Sequence, residues 1–356
     1  VNDKRSIMKA LNSTFVSTSG MFLTKFENEL RKITKSKYVI LVNSGTSALE
    51  LIIRSMMIKE KSEMIISPIS FVATANVLIY NNIKPIFVDI EKNTYGICPM
   101  KLKDKLTKIV KFKNNKPHNK ETGKLISGIM PTHVFGKPCE ISKISKIAKK
   151  FKIPVIEDSS EALGSYYKSK HLGTFGLAGA LSFNGNKIVT TGAGGAVLTN
   201  NLNICKKIRH LASVSKISHQ WRFFHDSVGY NYRMPNLNAA LGYSQVKKLK
   251  YLLKKKKNLS KKYEKIFKNS KEIFYVKDKK FSNSNFWLNF IEINNCELKK
   301  RNKILNYLNN KGIQARPIWD LLSDLPMFKK YCNENMVEAR KIANKVILLP
   351  SSSMYG

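Results

Sequence analysis

Histidine and cysteine are scarce in this 356-residue chain, and so are acidic groups and long apolar runs. Five cysteines, Cys98, Cys139, Cys205, Cys296 and Cys332, stand far apart with no C-x-x-C spacing and no clustered histidines. That argues against a disulfide framework or a zinc site and fits a reduced, cytoplasmic setting. No apolar stretch approaches the roughly 20 residues that a bilayer helix needs, which argues against a helical membrane span. The opening Val1-Asn2-Asp3-Lys4-Arg5 runs into a mixed segment rather than an apolar one, so no secretory signal is visible. Asp and Glu number 24 against 63 Lys plus Arg, a formal net charge of +39. Such a field attracts polyanions. The lysines are spread along the chain among Asn and Ile, however, and read as a compositional bias. The densest run, Lys247 to Lys257, is broken by apolar residues and reads as the exposed face of a long helix.

From about Tyr38 to Asn200, β-branched apolar runs alternate with amphipathic ones: strand-like 38–44, 63–67 and 85–90, helix-like 45–57 and 72–81. This alternation predicts crossover units and a mostly parallel α/β sheet covered on both faces. Ile141, Ile144, Ala148 and Phe151 share one helical face and lead to the run Ile153-Pro154-Val155-Ile156-Glu157-Asp158, whose carboxyl end is a natural ligand position. The polar stretch 103–124 reads as an exposed helix and loop. A long helix, 238–268, then leads to a smaller domain with a strand at Phe286–Ile291, a helix over 298–311 and a strand from Ile313 to Ile318.

The chemistry is carried by two residues 29 positions apart, Asp158 and Lys187. Lys187 follows the strand-like Gly179–Phe183 and precedes the glycine-rich Thr190-Thr191-Gly192-Ala193-Gly194-Gly195 and a second strand-like run, a rigid turn for a reactive amine. A lysine that holds an aldehyde as a Schiff base, and an aspartate that keeps a pyridine nitrogen protonated, are what pyridoxal 5'-phosphate (PLP) chemistry requires. In Ser44-Gly45-Thr46-Ser47 a strand turns into a helix, and the free amides and dipole there suit a phosphate, with Gly45, Thr46 and Ser47 as contacts. His219, Trp221, His225 and Arg233 form a polar-aromatic cluster, and Arg316 lies in Gln314–Trp319; the arginine fork suits diphosphate or carboxylate groups, so His219, His225, Arg233 and Arg316 are candidate substrate contacts.

Six ordered blocks give the chain a resemblance, over nearly its whole length, to the DegT/StrS sugar aminotransferases of PLP fold type I. They are Asn43–Leu49, Pro68–Asn76, Pro131–Gly136, Glu157–Ser165, Ser182–Gly195 and Gly229–Asn236. The chain most resembles the branch acting on UDP-linked 4-keto-6-deoxy amino sugars, the legionaminate and bacillosamine (LegC-like) type. The resemblance implies a large PLP-binding domain over 1–245 and a smaller C-terminal α/β domain over 246–356. It also implies Ser182 on the phosphate, Phe71 stacked over the cofactor, Glu161 near its phenolic oxygen where relatives carry Gln or His, and Asn231 reaching the phosphate of a partner subunit. A homodimer with shared active sites follows. Relatives that are dehydratases carry histidine at the Lys187 position, so lysine points to transamination. Since relatives have a short segment upstream, the valine start reads as trimmed. The expected reaction converts a nucleotide-linked 4-keto-6-deoxy sugar to its 4-amino form with L-glutamate as donor, for surface-glycan or nonulosonic acid synthesis. The same chemistry on a dTDP- or GDP-linked sugar is the nearest alternative, and a basic nucleic-acid-binding regulator on the same fold is the alternative class.

Overall fold

A computed structural model of the chain describes residues 3–58 and 61–356. Seven short strands form its centre: β1 (Tyr38–Val42), β2 (Ser62–Ile66), β3 (Ile83–Phe87), β4 (Leu125–Met130), β5 (Ile156–Asp158), β6 (Ala178–Ser182) and β7 (Gly195–Thr199). β3, β2 and β4 pair in parallel, as do β5 and β6, while β7 is antiparallel to both β6 and β1. Parallel bridges Ile129–Val155 and Thr132–Asp158 join the two groups across β4 and β5. The carboxyl ends of β1, β4, β5 and β6 therefore reach one edge of the sheet, where β7 begins.

β1 reads as an unbroken apolar run, buried from Val39 to Val42, because helices cover both faces. Along β1 the two-residue period sends Ile40 and Val42 into one core layer and Val39 and Leu41 into the other. The first layer is filled by α3 (Gly45–Ser55), through Ala48, Leu49 and Ile52, together with α4 (Ala73–Tyr80). The second is filled by Phe22, Phe26 and Leu30 of α2 (Met21–Thr34), packed with Ala239 and Ala240 of the helix Asn236–Lys247. α1 (Asp3–Asn12) adds Ala10 to that layer.

The expected helix over 238–268 is two helices, Asn236–Lys247 and Leu249–Phe267, interrupted at Lys248. The proposed domain boundary at residue 245 falls within the last turn of the first. Beyond them β8 (Ile273–Tyr275), β9 (Asn289–Ile293), β10 (Arg316–Pro317) and β11 (Val346–Leu349) form an antiparallel sheet in the order β8-β9-β11-β10. The helix Leu298–Asn310 packs on it through Leu305.

The stretch 103–124 differs from its expectation. After the helix Pro99–Ile109 it forms a hairpin, Val110–Lys113 with Lys116–Asn119, hung on the edge of β4 at His118–Leu125. Asn114 and Asn115 make the turn at φ of 49° and 61°. Asparagine tolerates the left-handed region, so an Asn-Asn pair between two polar four-residue strands is a hairpin signal that net polarity conceals.

Candidate active site

The cleft lies where the strand ends converge, and its first wall is the start of α3. Ser44 caps this helix: its Oγ accepts the Ser47 N–H at 3.0 Å and its carbonyl accepts the Ala48 N–H at 3.1 Å. The Gly45 and Thr46 amides are left without an acceptor among the described residues, and both residues line a cleft of about 350 Å³. A Cβ on Gly45 would sit 2.8 Å from Ser182 Cβ and 3.2 Å from its Oγ, so only bare backbone fits between helix and hydroxyl. Ser47 is a correction to the sequence reading. Its hydroxyl donates to Asn43 Oδ1 at 2.7 Å and its amide is taken by Ser44, so the cap consumes it and it does not line the cleft.

Asp158 ends β5 and faces the cleft, while its neighbour Glu157 points the other way, as strand alternation requires. Asp158 Oδ2 accepts the Thr74 hydroxyl at 2.6 Å and Oδ1 accepts the Ser160 amide at 3.2 Å. Thr74 Oγ1 also bonds Ser70 Oγ at 2.6 Å, and Ser70 accepts from Thr132 at 3.0 Å, giving a buried hydroxyl chain behind the carboxylate. On the other side Glu157 accepts from His133 Nε2 at 3.0 Å and from the amides of Gly173 (2.9 Å), Phe175 (2.6 Å) and Gly176 (2.8 Å). Because the Cys139 amide donates to His133 Nδ1, the ring proton is on Nε2. Burial alone would raise the Glu157 pKa, but His133 and these amides hold it below the ordinary carboxylate value.

Lys187 follows β6 in a tight turn closed by its own amide on the Asn184 carbonyl at 2.9 Å. Its Nζ lies 3.4 Å from Glu161 Oε1 and 3.8 Å from the centre of the Trp287 ring. Glu161 Oε2 accepts the Phe135 amide at 2.8 Å. Burial pushes the Glu161 carboxyl up to about 7 in spite of the Lys187 charge, with Asp158 adding to the rise. A carboxyl raised in this way stabilises the fold fully below its unfolded pKa near 4.5, and the contribution is lost as pH climbs through about 7. In urea unfolding of the cofactor-free protein, Glu161→Gln is therefore expected to gain stability relative to the parent between pH 5.5 and 7.5. A constant difference across that range would place the titration elsewhere.

Phe71 is 54% exposed at the rim, edge-on to Trp319 at 6.4 Å. Lys187, Asp158, Glu161, Ser182, Gly45, Thr46 and Phe71 all line one cleft. The other sequence candidates do not. Asn231, His219 and Arg233 line a separate recess with Thr18, Ser213 and Lys216. His225 is exposed, with Nδ1 2.8 Å from the Val214 carbonyl, and Arg316 is exposed on β10. Thr74, Asn184, Asn186, Trp287 and Trp319 also line the cleft, and sequence reading did not single them out. Thr74 sits inside a motif that drew attention only to Phe71. Nothing local marks the two tryptophans, which arrive from distant parts of the chain.

A family model described as the DegT/DnrJ/EryC1/StrS aminotransferase family matches residues 1–355. GDP-perosamine synthase of Escherichia coli O157:H7 is 31% identical, over 98% of this chain and 90% of its own. UDP-4-amino-4,6-dideoxy-N-acetyl-beta-L-altrosamine transaminase of Helicobacter pylori is 34% identical, over 75% of this chain and 68% of its own. The solved structure of Helicobacter pylori PseC, an aminotransferase involved in the biosynthesis of pseudoaminic acid, superposes with a TM-score of 0.89 at 28% identity, covering 99% and 91% of the two chains. With the amine, the buried carboxylate and the open helix start gathered in one cleft, this chain belongs to the DegT/DnrJ/EryC1/StrS family and is a PLP-dependent sugar aminotransferase of fold type I.

Proposed function

We propose that the enzyme moves an amino group from L-glutamate to C4 of a nucleotide-linked 4-keto-6-deoxy sugar, with UDP-2-acetamido-4-keto-2,6-dideoxyhexose as acceptor. One observation carries the reading: the Lys187 amine and the Asp158 carboxylate line the same cleft, with the bare start of α3 between β1 and β6. The residues present suit PLP. Gly45 and Thr46 amides and the Ser182 hydroxyl would hold its phosphate, Asp158 its ring nitrogen, Lys187 its aldehyde carbon and Phe71 one face of its ring. Bound there, the cofactor supplies an electron sink that makes the donor's α-proton acidic.

The remaining work is done by the chain's own groups. Lys187 Nζ would take the proton from the donor α-carbon and return it two atoms away, to the carbon on the far side of the transferred nitrogen, acting as base and then acid. Asp158, its two oxygens fixed by the Thr74 hydroxyl and the Ser160 amide, would keep a proton on the nitrogen opposite. The sugar half runs the same transfers in reverse. Asn231 of the partner subunit would complete the phosphate site in a homodimer; the exposure of Asn231 outside the cleft of its own chain supports this.

Gly45→Ala forces a methyl group against Ser182 Cβ and is expected to weaken PLP binding about tenfold, about 1.4 kcal/mol, and to lower the thermal unfolding midpoint of the cofactor-free protein as helix and strand move apart; equilibrium dialysis below that midpoint reads the affinity. The reaction itself is tested by adding L-glutamate to PLP-loaded protein, following the loss of visible absorbance, then offering UDP-, GDP- and dTDP-linked 4-keto-6-deoxy sugars. A higher kcat/KM on the GDP sugar would reassign the acceptor. Loss of absorbance with another amino acid but not glutamate would reassign the donor.

A further inference from the structure

Trp287 reaches the cleft from the segment just before β9, and its orientation is unusually well determined. Its amide donates to Asn285 Oδ1 at 3.0 Å, and its carbonyl accepts from Lys256 Nζ at 2.8 Å. Asn285 is itself tied to the loop after β5, through Nδ2 to the carbonyls of Glu161 (2.8 Å) and Leu163 (2.9 Å) and through its amide to Ser165 Oγ (2.9 Å). Lys256 also bonds the Ser351 carbonyl. The residue is only 5% exposed, yet it lines the cleft.

The indole makes two contacts with one short stretch of chain. Its Nε1–H donates to the Asn186 carbonyl at 2.8 Å, and its face lies 3.8 Å from the Nζ of the next residue, Lys187. The edge of one rigid ring thus holds the backbone at the root of the lysine, while the face attracts the charged tip. A free lysine side chain has four rotatable bonds and about 2 kcal/mol of rotamer entropy to lose. Fixing root and tip on the same plane removes much of that freedom before any ligand arrives. Glu161 alone would not do this, because at 3.4 Å its oxygen makes only a long contact with the amine.

We propose that Trp287 is the positioning residue for Lys187, holding its Nζ toward the reacting carbon. The proposal rests on Lys187 being the reactive amine. Proximity effects of this kind are steep, since about 1 Å of misplacement costs roughly 10²-fold in rate.

The test uses Trp287→Leu, which removes the aromatic face, and Trp287→Phe, which keeps a face but loses the Nε1–H. In the cofactor-free full chain, Lys187 is modified with limiting acetic anhydride and quantified by peptide mass spectrometry against exposed Lys250. The leucine variant is expected to show Lys187 modified about fivefold faster, with phenylalanine between it and the parent, as loss of a cation–π contact worth on the order of 1 kcal/mol implies. In PLP-loaded protein, the single-turnover rate constant with L-glutamate is expected to fall about 10- to 100-fold in the leucine variant and partly recover in phenylalanine. Half-saturating glutamate and the sugar KM stay within about twofold, because a positioning defect acts on the rate and not on binding. Wild-type modification of Lys187 in the leucine variant would overturn the proposal. So would a defect carried by the sugar KM with the rate constant intact, which would make Trp287 a wall of the sugar site. The modification arm needs neither cofactor nor substrate. A parent protein that turns over no donor would therefore sink the role of Lys187 while the contact is still read.

Discussion

Lys187→Ala is expected to abolish turnover, by about 10⁴-fold or more, while leaving a folded protein. Acid–base catalysis by a positioned side chain contributes up to about 10⁴-fold, and here the same amine also anchors the cofactor covalently. The fold survives because Glu161, the one carboxyl in direct contact with the amine among the described residues, already titrates near 7. Without the lysine it takes up a proton and leaves no unpaired buried charge. Near-parental circular dichroism together with glutamate-dependent turnover above trace level would remove Lys187 from the chemistry. Loss of the fold itself would show that the Lys187–Glu161 contact is a structural pair.

Asp158→Asn should cost on the order of 10³-fold in turnover, the scale of a preorganised electrostatic contribution. Asparagine has the same shape, and the surroundings can accept it. Its oxygen still meets the Ser160 amide, and its NH₂ can donate to Thr74 if the hydroxyl chain through Ser70 and Thr132 reverses. What is lost is the negative charge beside the ring nitrogen, so PLP uptake persists with weaker affinity while the α-proton of the donor is no longer labile. Steady-state turnover within tenfold of the parent would show that the nitrogen is held protonated by some other group.

That these two residues share one cleft was legible in the sequence because each follows a short, recognisable strand. The start of α3 was legible for the same reason: a strand that meets Ser-Gly-Thr-Ser has few alternatives to a capped helix. Local sequence does not say which hydroxyl serves as cap and which as ligand: Ser44 supplies the cap, and the Ser47 hydroxyl turns back to Asn43. Lys256 shows the same limit. Inside a run of lysines it reads as one more solvated charge, yet it is buried and holds two carbonyls across the C-terminal segment. Trp287 and Trp319 could not be read at all, since what places them is the return of the chain from the small sheet to the large one. Asn231, His219 and Arg233, read from the sequence as cofactor and substrate contacts, stand in a recess of their own outside the cleft.

The four hydrogen bonds on Glu157 have a consequence for how this enzyme can change. β5 is three residues long, and adjacent carboxylates on it serve opposite purposes. A single inserted or deleted residue upstream would turn each of them to the opposite face, taking Asp158 out of its place in the cleft and Glu157 away from His133 and the Gly173–Gly176 turn. The shifted register loses the four bonds on Glu157 at once. Length variation can therefore accumulate at the exposed turn Asn114–Asn115 of the hairpin, but the span between Ile153 and Ser160 is closed to it. In directed evolution toward new sugars, libraries that vary loop length belong outside that window.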